Sequence, residues 1–241
     1  MLQTLKAIRS GLAFRRDPLA FLTRHDIAES IVRFRVGLSE FTLVNDPSMI
    51  RRVLVSESER YGEGKWTQRG RFVMRDCLIT REGDPHRRRR ALLNPVFKKI
   101  RLLDHLPAMT QRAEQLSVQW RDGDEIDVNR EMGRLAIAIA GDAIFDADLS
   151  LEGPELLDSL KVMLAAIPRL PIPWPRLAIA RRRVEQTASR LLTGGLGLHL
   201  REGGLSETAA RDEIVALLIA VIDTTPGALA WTWFLLGRRP G

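Results

Sequence analysis

The chain has 241 residues, a formal net charge of +7 and a hydrophobic share of 45%, and this hydrophobic share is ordinary for a globular protein. Cys77 is the only cysteine, which excludes an internal disulfide and predicts a reducing, cytoplasmic location. The N-terminal residues lack the apolar core of a signal peptide. Because the longest apolar run, 214–222, is too short to cross a bilayer, we expect no transmembrane segment.

The positive charge would suit a nucleic-acid or anionic-membrane partner, but its distribution along the chain does not favour one. Only the stretch HRRRR at 86–90 is densely basic. No aromatic residues alternate with the basic ones, as a surface that stacks bases would require. We therefore expect no nucleic-acid partner, and a basic helical interaction protein that uses residues 86–90 stays open as an alternative.

The first third of the chain contains the only predicted hairpin. Asp17-Pro18 and Asp46-Pro47 each place an acidic N-cap before a proline, which is typical of a helix start. Between them, residues 31–44 show a period-two alternation interrupted by a turn at Gly37. The sequence thus predicts one small hairpin in an otherwise mainly α chain.

Helix signals dominate the rest of the chain. A third acid–proline pair, Asp84-Pro85, predicts a helix over 84–99 that Pro95 closes or kinks. Four prolines predict a loop over 166–176 between two helices. The last long helix is predicted over 206–237, after a Gly-Gly turn.

A polar notch interrupts this last helix at Asp223, Thr224, Thr225 and Pro226. One interpretation is a break, in which Thr225 is the N-cap and Pro226 the first residue of a new helix. The other is one continuous helix, distorted over a bound ligand, with an acid and a hydroxyl placed to pass protons. The residue types alone leave both open.

The stretch AVIDTTPGALAWTWFLLGRRP, 220–240, resembles the central helix of the cytochrome P450 family, whose motif there is A-G-x-[DE]-T-T. Ala220, Asp223, Thr224 and Thr225 match, whereas Val221 replaces the glycine. The resemblance implies that Ala220 and Val221 lie against a haem. It also implies that Asp223 and Thr224 are the acid–alcohol pair that delivers protons in the family's oxygen chemistry. A β-branched valine is expected to crowd the oxygen pocket.

A second stretch, 83–97, is similar to the family pattern G-x-x-H-x-x-x-R-x-x-x-x-P-x-F. By this resemblance, His86 and Arg90 bind the haem propionates from one face of a helix. Arginine suits a carboxylate because its fork donates two hydrogen bonds. The alternative from the residues alone is a solvated basic surface or a phosphate-binding patch; the order of the two motifs favours the family.

Two family motifs that follow the central helix, E-x-x-R and the cysteine loop that ligates the haem iron, have no counterpart after 237. Glu57–Arg60 and Glu131–Arg134 fit the first as strings but precede the central helix, so we interpret them as local ion pairs. Cys77 lies outside any glycine-rich loop and is predicted to be a small buried residue, so no metal ligand is assigned.

The chain is accordingly interpreted as a single, incomplete cytochrome P450 domain over 1–241, truncated after the central helix. The resemblance implies an iron-haem oxidoreductase that monooxygenates a hydrophobic small molecule with electrons from a ferredoxin or a flavin reductase. Without the thiolate ligand, which promotes O–O cleavage, the chain is expected to be inactive alone, and whether it is an enzyme is left open. A non-catalytic small-molecule binder is the other alternative.

Overall fold

The structure is a computed structural model that describes residues 12–14, 16–23, 30–36, 39–98, 103–167 and 175–239. The chain divides into two compact units, 1–62 and 63–241. The described residues are mainly helical with one two-stranded antiparallel sheet, so the predicted fold class is confirmed. Two compact units can belong to one fold, and the expectation of a single domain stays a prediction.

The described residues of the first unit include two short α-helices and the hairpin. Its elements are α1 (Pro18–Thr23), β1 (Ile31–Val36), β2 (Ser39–Val44) and α2 (Pro47–Arg51), which continues as a π-helical turn, Arg52–Ser56. The predicted caps are present, because Asp17 accepts a hydrogen bond from the Ala20 N–H and Asp46 from the Met49 N–H. The hairpin over 31–44 is confirmed with Ile31 opposite Val44; its turn, 37–38, lies outside the described residues.

The second unit is helical. Its helices are α3 (Lys65–Met74), α4 (Gly83–Leu93), α5 (Leu106–Ser117), α6 (Val128–Ala140), α7 (Gly153–Ala166), α8 (Pro175–Arg190), α9 (Gly195–Glu202) and α10 (Glu207–Gly237). The core lies mainly between α6, α7, α8, α9 and the first half of α10, with fully buried side chains such as Leu157, Leu160 and Ile214. Of the loop predicted over 166–176, the structure describes only the ends, since 168–174 lie outside the described residues.

The bounds predicted for α4, 84–99, are wrong at both ends. The helix begins at Gly83, and the Asp84 carboxylate pairs with Arg87 instead of capping the helix. It ends at Leu93 because Pro95 has no N–H with which to continue the i to i−4 ladder. Tighter turns then follow, with the Val96 N–H bound to the Leu93 carbonyl. Residues 99–100 lie outside the described part.

The long helix predicted over 206–237 is present as α10, with Ser206 as its N-cap. The expectation of no transmembrane segment was based on the length of the apolar run 214–222. It overlooked that the helix continues through the polar notch. By length and composition α10 could therefore cross a membrane, and it alone among the described helices meets that criterion. The core helix of a water-soluble protein meets the same criterion. In this chain, 39% of the most apolar 18-residue window of α10 is buried.

Candidate functional site

The polar notch lies within one uninterrupted helix. α10 runs from Glu207 to Gly237 with Pro226 inside it, which excludes a new helix starting at Thr225. The only donor lost is that of Pro226, which leaves the Ile222 carbonyl without its usual helical partner. One turn earlier, the Thr224 hydroxyl donates to the Ala220 carbonyl at 3.2 Å. The notch is therefore a local weakening of the backbone ladder and not a break.

The notch marks the point where α10 leaves the core. Ile222 is buried, Ala220 and Val221 are half-buried, and Asp223 and Thr224 are exposed. Asp223 makes no hydrogen bond or ion pair within the part of the chain that the structure describes. The cost of burying a carboxylate is thus not incurred here, and the Asp223 oxygens are open to hydrogen-bond donors.

On α4, the two residues predicted to hold propionates also have unengaged side chains. His86 is half-buried and Arg90 is exposed, and neither side chain forms a hydrogen bond or ion pair with another described residue. The neighbouring Arg87 pairs with Asp84. The four arginines therefore differ in role, and they do not form the uniform basic surface that the alternative interpretation requires.

Arg89 is the residue whose role the sequence analysis missed. Only 6% exposed, it donates from Nη1 to Glu213 Oε1 at 2.6 Å, and Glu213 is 1% exposed. Burial raises the pKa of Glu213, while Arg89 acts in the opposite direction. The available signal was its position: Arg89 lies four residues before the buried Leu93, on the inward face of α4. This ion pair fixes α4 against the first half of α10.

The ion pair of α4 with Glu213 also limits how closely the propionate candidates on α4 can approach the acid–alcohol pair on α10. Asp223 follows Glu213 by ten residues, which is about 15 Å along a helix. No hydrogen bond or ion pair between described residues joins His86 or Arg90 to Asp223 or Thr224. A shared cavity for the four side chains stays a prediction.

The residues present fit the edge of a haem but do not supply its axial ligand. His86 and Arg90 offer free donors for two carboxylates. Cys77 is fully buried, with its thiol 3.7 Å from the Thr80 hydroxyl, and burial raises the pKa of the thiol, which opposes thiolate formation. Among the described residues, no group of three or more His, Cys, Asp or Glu could hold a metal ion.

The two E-x-x-R strings are local ion pairs, as predicted. Arg60 lies 3.0 Å from Glu57, and Arg134 lies 3.0 Å from Glu131. Both pairs join residues three positions apart and are partly exposed. Neither provides a feature of the candidate site.

The cytochrome P450 family profile matches residues 19–190. Cyclooctatin synthase of Streptomyces melanosporofaciens is 28% identical over 96% of this chain and 57% of its own length. Pentalenene oxygenase of Streptomyces avermitilis is 23% identical over 93% of this chain and 56% of its own length. The crystal structure of CYP175A1 from Thermus thermophilus superposes with a TM-score of 0.76 at 25% identity, covering 94% of this chain and 59% of that one.

The fold, the two ordered motifs and these matches place the chain in one class: it belongs to the cytochrome P450 family. The family's cofactor is haem. The chain spans little more than half the length of the curated relatives it matches.

Proposed function

We propose that this chain forms the distal side of a haem monooxygenase site and that it does not complete the reaction on its own. The observation that carries the proposal is the acid–alcohol pair Asp223–Thr224 on an uninterrupted helix, in a chain of the cytochrome P450 family. The proposed substrate class is a hydrophobic small molecule. The proposed electron donor is a ferredoxin or a flavin reductase, and the proposed location is the cytoplasm, as a soluble protein.

In this proposal α4 positions the cofactor. Arg90 would hold one propionate with its guanidinium fork, and His86, four residues earlier on the same face, would hold the other. Neither side chain has a hydrogen-bond or ion-pair partner among the described residues, so no bond to a described residue is lost when they bind. Ala220 and Val221 on α10 would pack against the cofactor, where the branched Val221 would narrow the space available.

The proton path uses the notch. Asp223 takes a proton from water, and Thr224 passes one inward through its hydroxyl. The hydroxyl now donates to the Ala220 carbonyl at 3.2 Å, so it must rotate away from that carbonyl to donate elsewhere. When bound, haem supplies the oxygen activation, and its thiolate ligand promotes O–O cleavage.

Two features support inactivity of the isolated chain. Cys77, the only cysteine, is buried and bonded to Thr80, so it does not offer a thiolate to iron. The Asp223 and Thr224 side chains are open to solvent, whereas a productive proton path requires bulk water to be excluded.

The proposal is tested with the purified chain and added haem. We expect that the reduced, carbon monoxide-bound absorption spectrum lacks the thiolate-type Soret band, and that Cys77→Ser does not change it. We expect haem to bind weakly, and Arg90→Gln to weaken binding by about tenfold, since hydrogen bonds to charged groups contribute about 1.5–3 kcal/mol. Val221→Gly relieves crowding without producing a thiolate spectrum.

A thiolate-type band that disappears in Cys77→Ser would overturn the proposed inactivity. Arg182→Gln serves as the matched control for Arg90→Gln, because Arg182 is also an exposed helical arginine, on α8. Equal haem affinity of the two variants would remove the propionate role of Arg90. No haem binding at all would favour the non-catalytic small-molecule binder.

A further inference from the structure

A groove in the second unit combines positive charge with apolar walls and has no role in the proposed function. It lies between α4 and the segment that connects α9 to α10, with a volume of about 510 Å³. Its charged lining consists of Arg81, Arg88 and Arg89, and its apolar lining includes Leu92 and Leu205. All of these residues belong to the unit 63–241.

The three arginines are unequally neutralised. Arg89 is paired with Glu213, and Arg81 is paired with the exposed carboxylate of Asp76. Arg88 is exposed and forms no hydrogen bond or ion pair with another described residue. The groove thus has three positive side chains against two carboxylates, and the uncompensated charge is that of Arg88.

Arg81 adds a second donor without a partner. Its Nε is enclosed by protein and has no hydrogen-bond acceptor among the described residues. The Arg81 side chain as a whole is 25% exposed, and of its two terminal nitrogens only Nη2 is bound to a described residue, Asp76, so Nη1 can donate to an acceptor in the groove. The groove therefore offers an oxyanion N–H donors as well as positive charge.

The apolar wall is formed by a close backbone approach. A Cβ at Gly203 would lie 2.3 Å from Leu92 Cδ1, so the connecting segment packs directly on the end of the Leu92 side chain. Leu92 and Leu205 are both half-buried and line the groove next to the arginines. An occupant with an apolar body could cover these two side chains.

The groove is separate from the proposed haem edge. Pro85, Arg88, Arg89 and Leu92 line the groove and have helical i, i+3, i+4, i+7 spacing. With about 100° per residue, their face is rotated by roughly 130° around α4 from the face that carries His86 and Arg90. One helix thus presents two faces to two different ligands.

We propose that this groove binds a small organic phosphate, with the phosphate on Arg88 and Arg81 and the organic group on Leu92 and Leu205. A phosphate presents three oxygens in different directions and can accept from two arginines at once, whereas a carboxylate presents two oxygens in one plane. The site is independent of haem binding.

The experiment uses the full chain and isothermal titration calorimetry at constant ionic strength, with hexyl phosphate, inorganic phosphate and hexanoate as probes. We expect saturable binding of hexyl phosphate that is tighter than binding of either other probe. Arg88→Gln should weaken it by about tenfold or more. Arg182→Gln, a change at an exposed arginine without a described partner on α8, should leave the affinity unchanged.

Leu205→Glu provides a second test, because it places a carboxylate in the groove without altering an arginine. Its far-ultraviolet circular dichroism verifies folding, and we expect it to abolish binding. The proposal is overturned if hexyl phosphate shows no saturable binding, or if Arg88→Gln and Arg182→Gln bind it equally. Equal affinity for hexyl phosphate and hexanoate would overturn the phosphate class.

Discussion

At the scale of single residues, the contact that matters most for stability is the buried ion pair between Arg89 and Glu213. Each side chain is almost fully buried, and Arg89 Nη1 lies 2.6 Å from Glu213 Oε1. A buried charge that loses its partner is costly, whereas replacing both charges by apolar side chains is often neutral. The pair therefore makes the folded state depend on both residues together.

Arg89→Met should lower the free energy of unfolding by about 3–5 kcal/mol, because it leaves the Glu213 carboxylate buried and unpaired. Urea denaturation measures the change. The double variant Arg89→Met/Glu213→Leu should recover most of the loss. As a control, Arg130→Met removes the exposed pair with Asp158 and should cost less than about 1 kcal/mol. Equal losses in the two single variants would contradict the importance of burial.

Asp212, next to Glu213, gives a pH prediction. Burial raises its pKa above the ordinary 3.8, while Arg75, 4.0 Å away, opposes the shift. A raised folded-state pKa means that this group's contribution is full below the unfolded pKa and is lost as the pH rises through the folded pKa.

The variant Asp212→Asn cannot titrate at this position. The free energy of unfolding of this variant, measured by urea denaturation, should therefore increase relative to that of the parent chain as the pH rises above about 4. A gap that shrinks over this range would show that the Arg75 charge outweighs burial.

At the scale of elements, α10 decides how the candidate site is presented. Most side chains from Ala210 to Ile222 are buried, and beyond Pro226 every described side chain is half-buried or exposed. A helix that is apolar all round requires neighbours all round. The acid–alcohol pair sits at the transition, where the helix is continuous but lacks one backbone bond.

Substitutions at Pro226 and Gly227 test whether the helix is continuous there. A Cβ at Gly227 would meet nothing within 4 Å, so Gly227→Ala should raise the free energy of unfolding by about 1 kcal/mol. Pro226→Ala restores a donor for the Ile222 carbonyl and should raise the free energy of unfolding by about 1–3 kcal/mol. An interior proline costs about 3 kcal/mol, and the loss of the buried proline ring offsets part of the gain. Destabilisation by both changes would indicate a broken helix.

At the scale of the whole molecule, the end of α10 is an exposed apolar surface. Trp231 is 65% exposed and Leu235 59% exposed, and Phe234 and Leu236 lie beside them. Trp233 is held against Trp120 in an edge-to-face contact with ring centroids 5.7 Å apart. Contiguous apolar surfaces of this kind promote association in water.

The isolated chain should therefore self-associate with increasing concentration, as measured by light scattering after size-exclusion chromatography. The double variant Trp231→Gln/Leu235→Gln should shift the chain toward the monomer without lowering its unfolding free energy. Leu151→Gln is the matched control, since Leu151 is 99% exposed but isolated from this surface. A parent chain that is monomeric at every concentration tested would contradict the prediction.

The fold was largely predictable from local signals, and the errors of the prediction have local causes. Asp17 and Asp46 cap helices as expected, whereas Asp84 does not, because Arg87 takes its carboxylate. The motif spacing located the two candidate pairs on α4 and α10. It could not show that Asp223 and Thr224 are exposed while Arg89 is buried, since exposure depends on what packs against each face.

The sequence by itself determined the hairpin, the long final helix and membership of the cytochrome P450 family, because these follow from periodicity, caps and ordered motifs within short stretches. Only the tertiary structure decided which of four consecutive arginines is buried, which is free and which lines a groove. The reason is that Arg89 and Glu213 are 124 positions apart, and no local pattern specifies such a pair. Burial and ion pairing are properties of the packed chain.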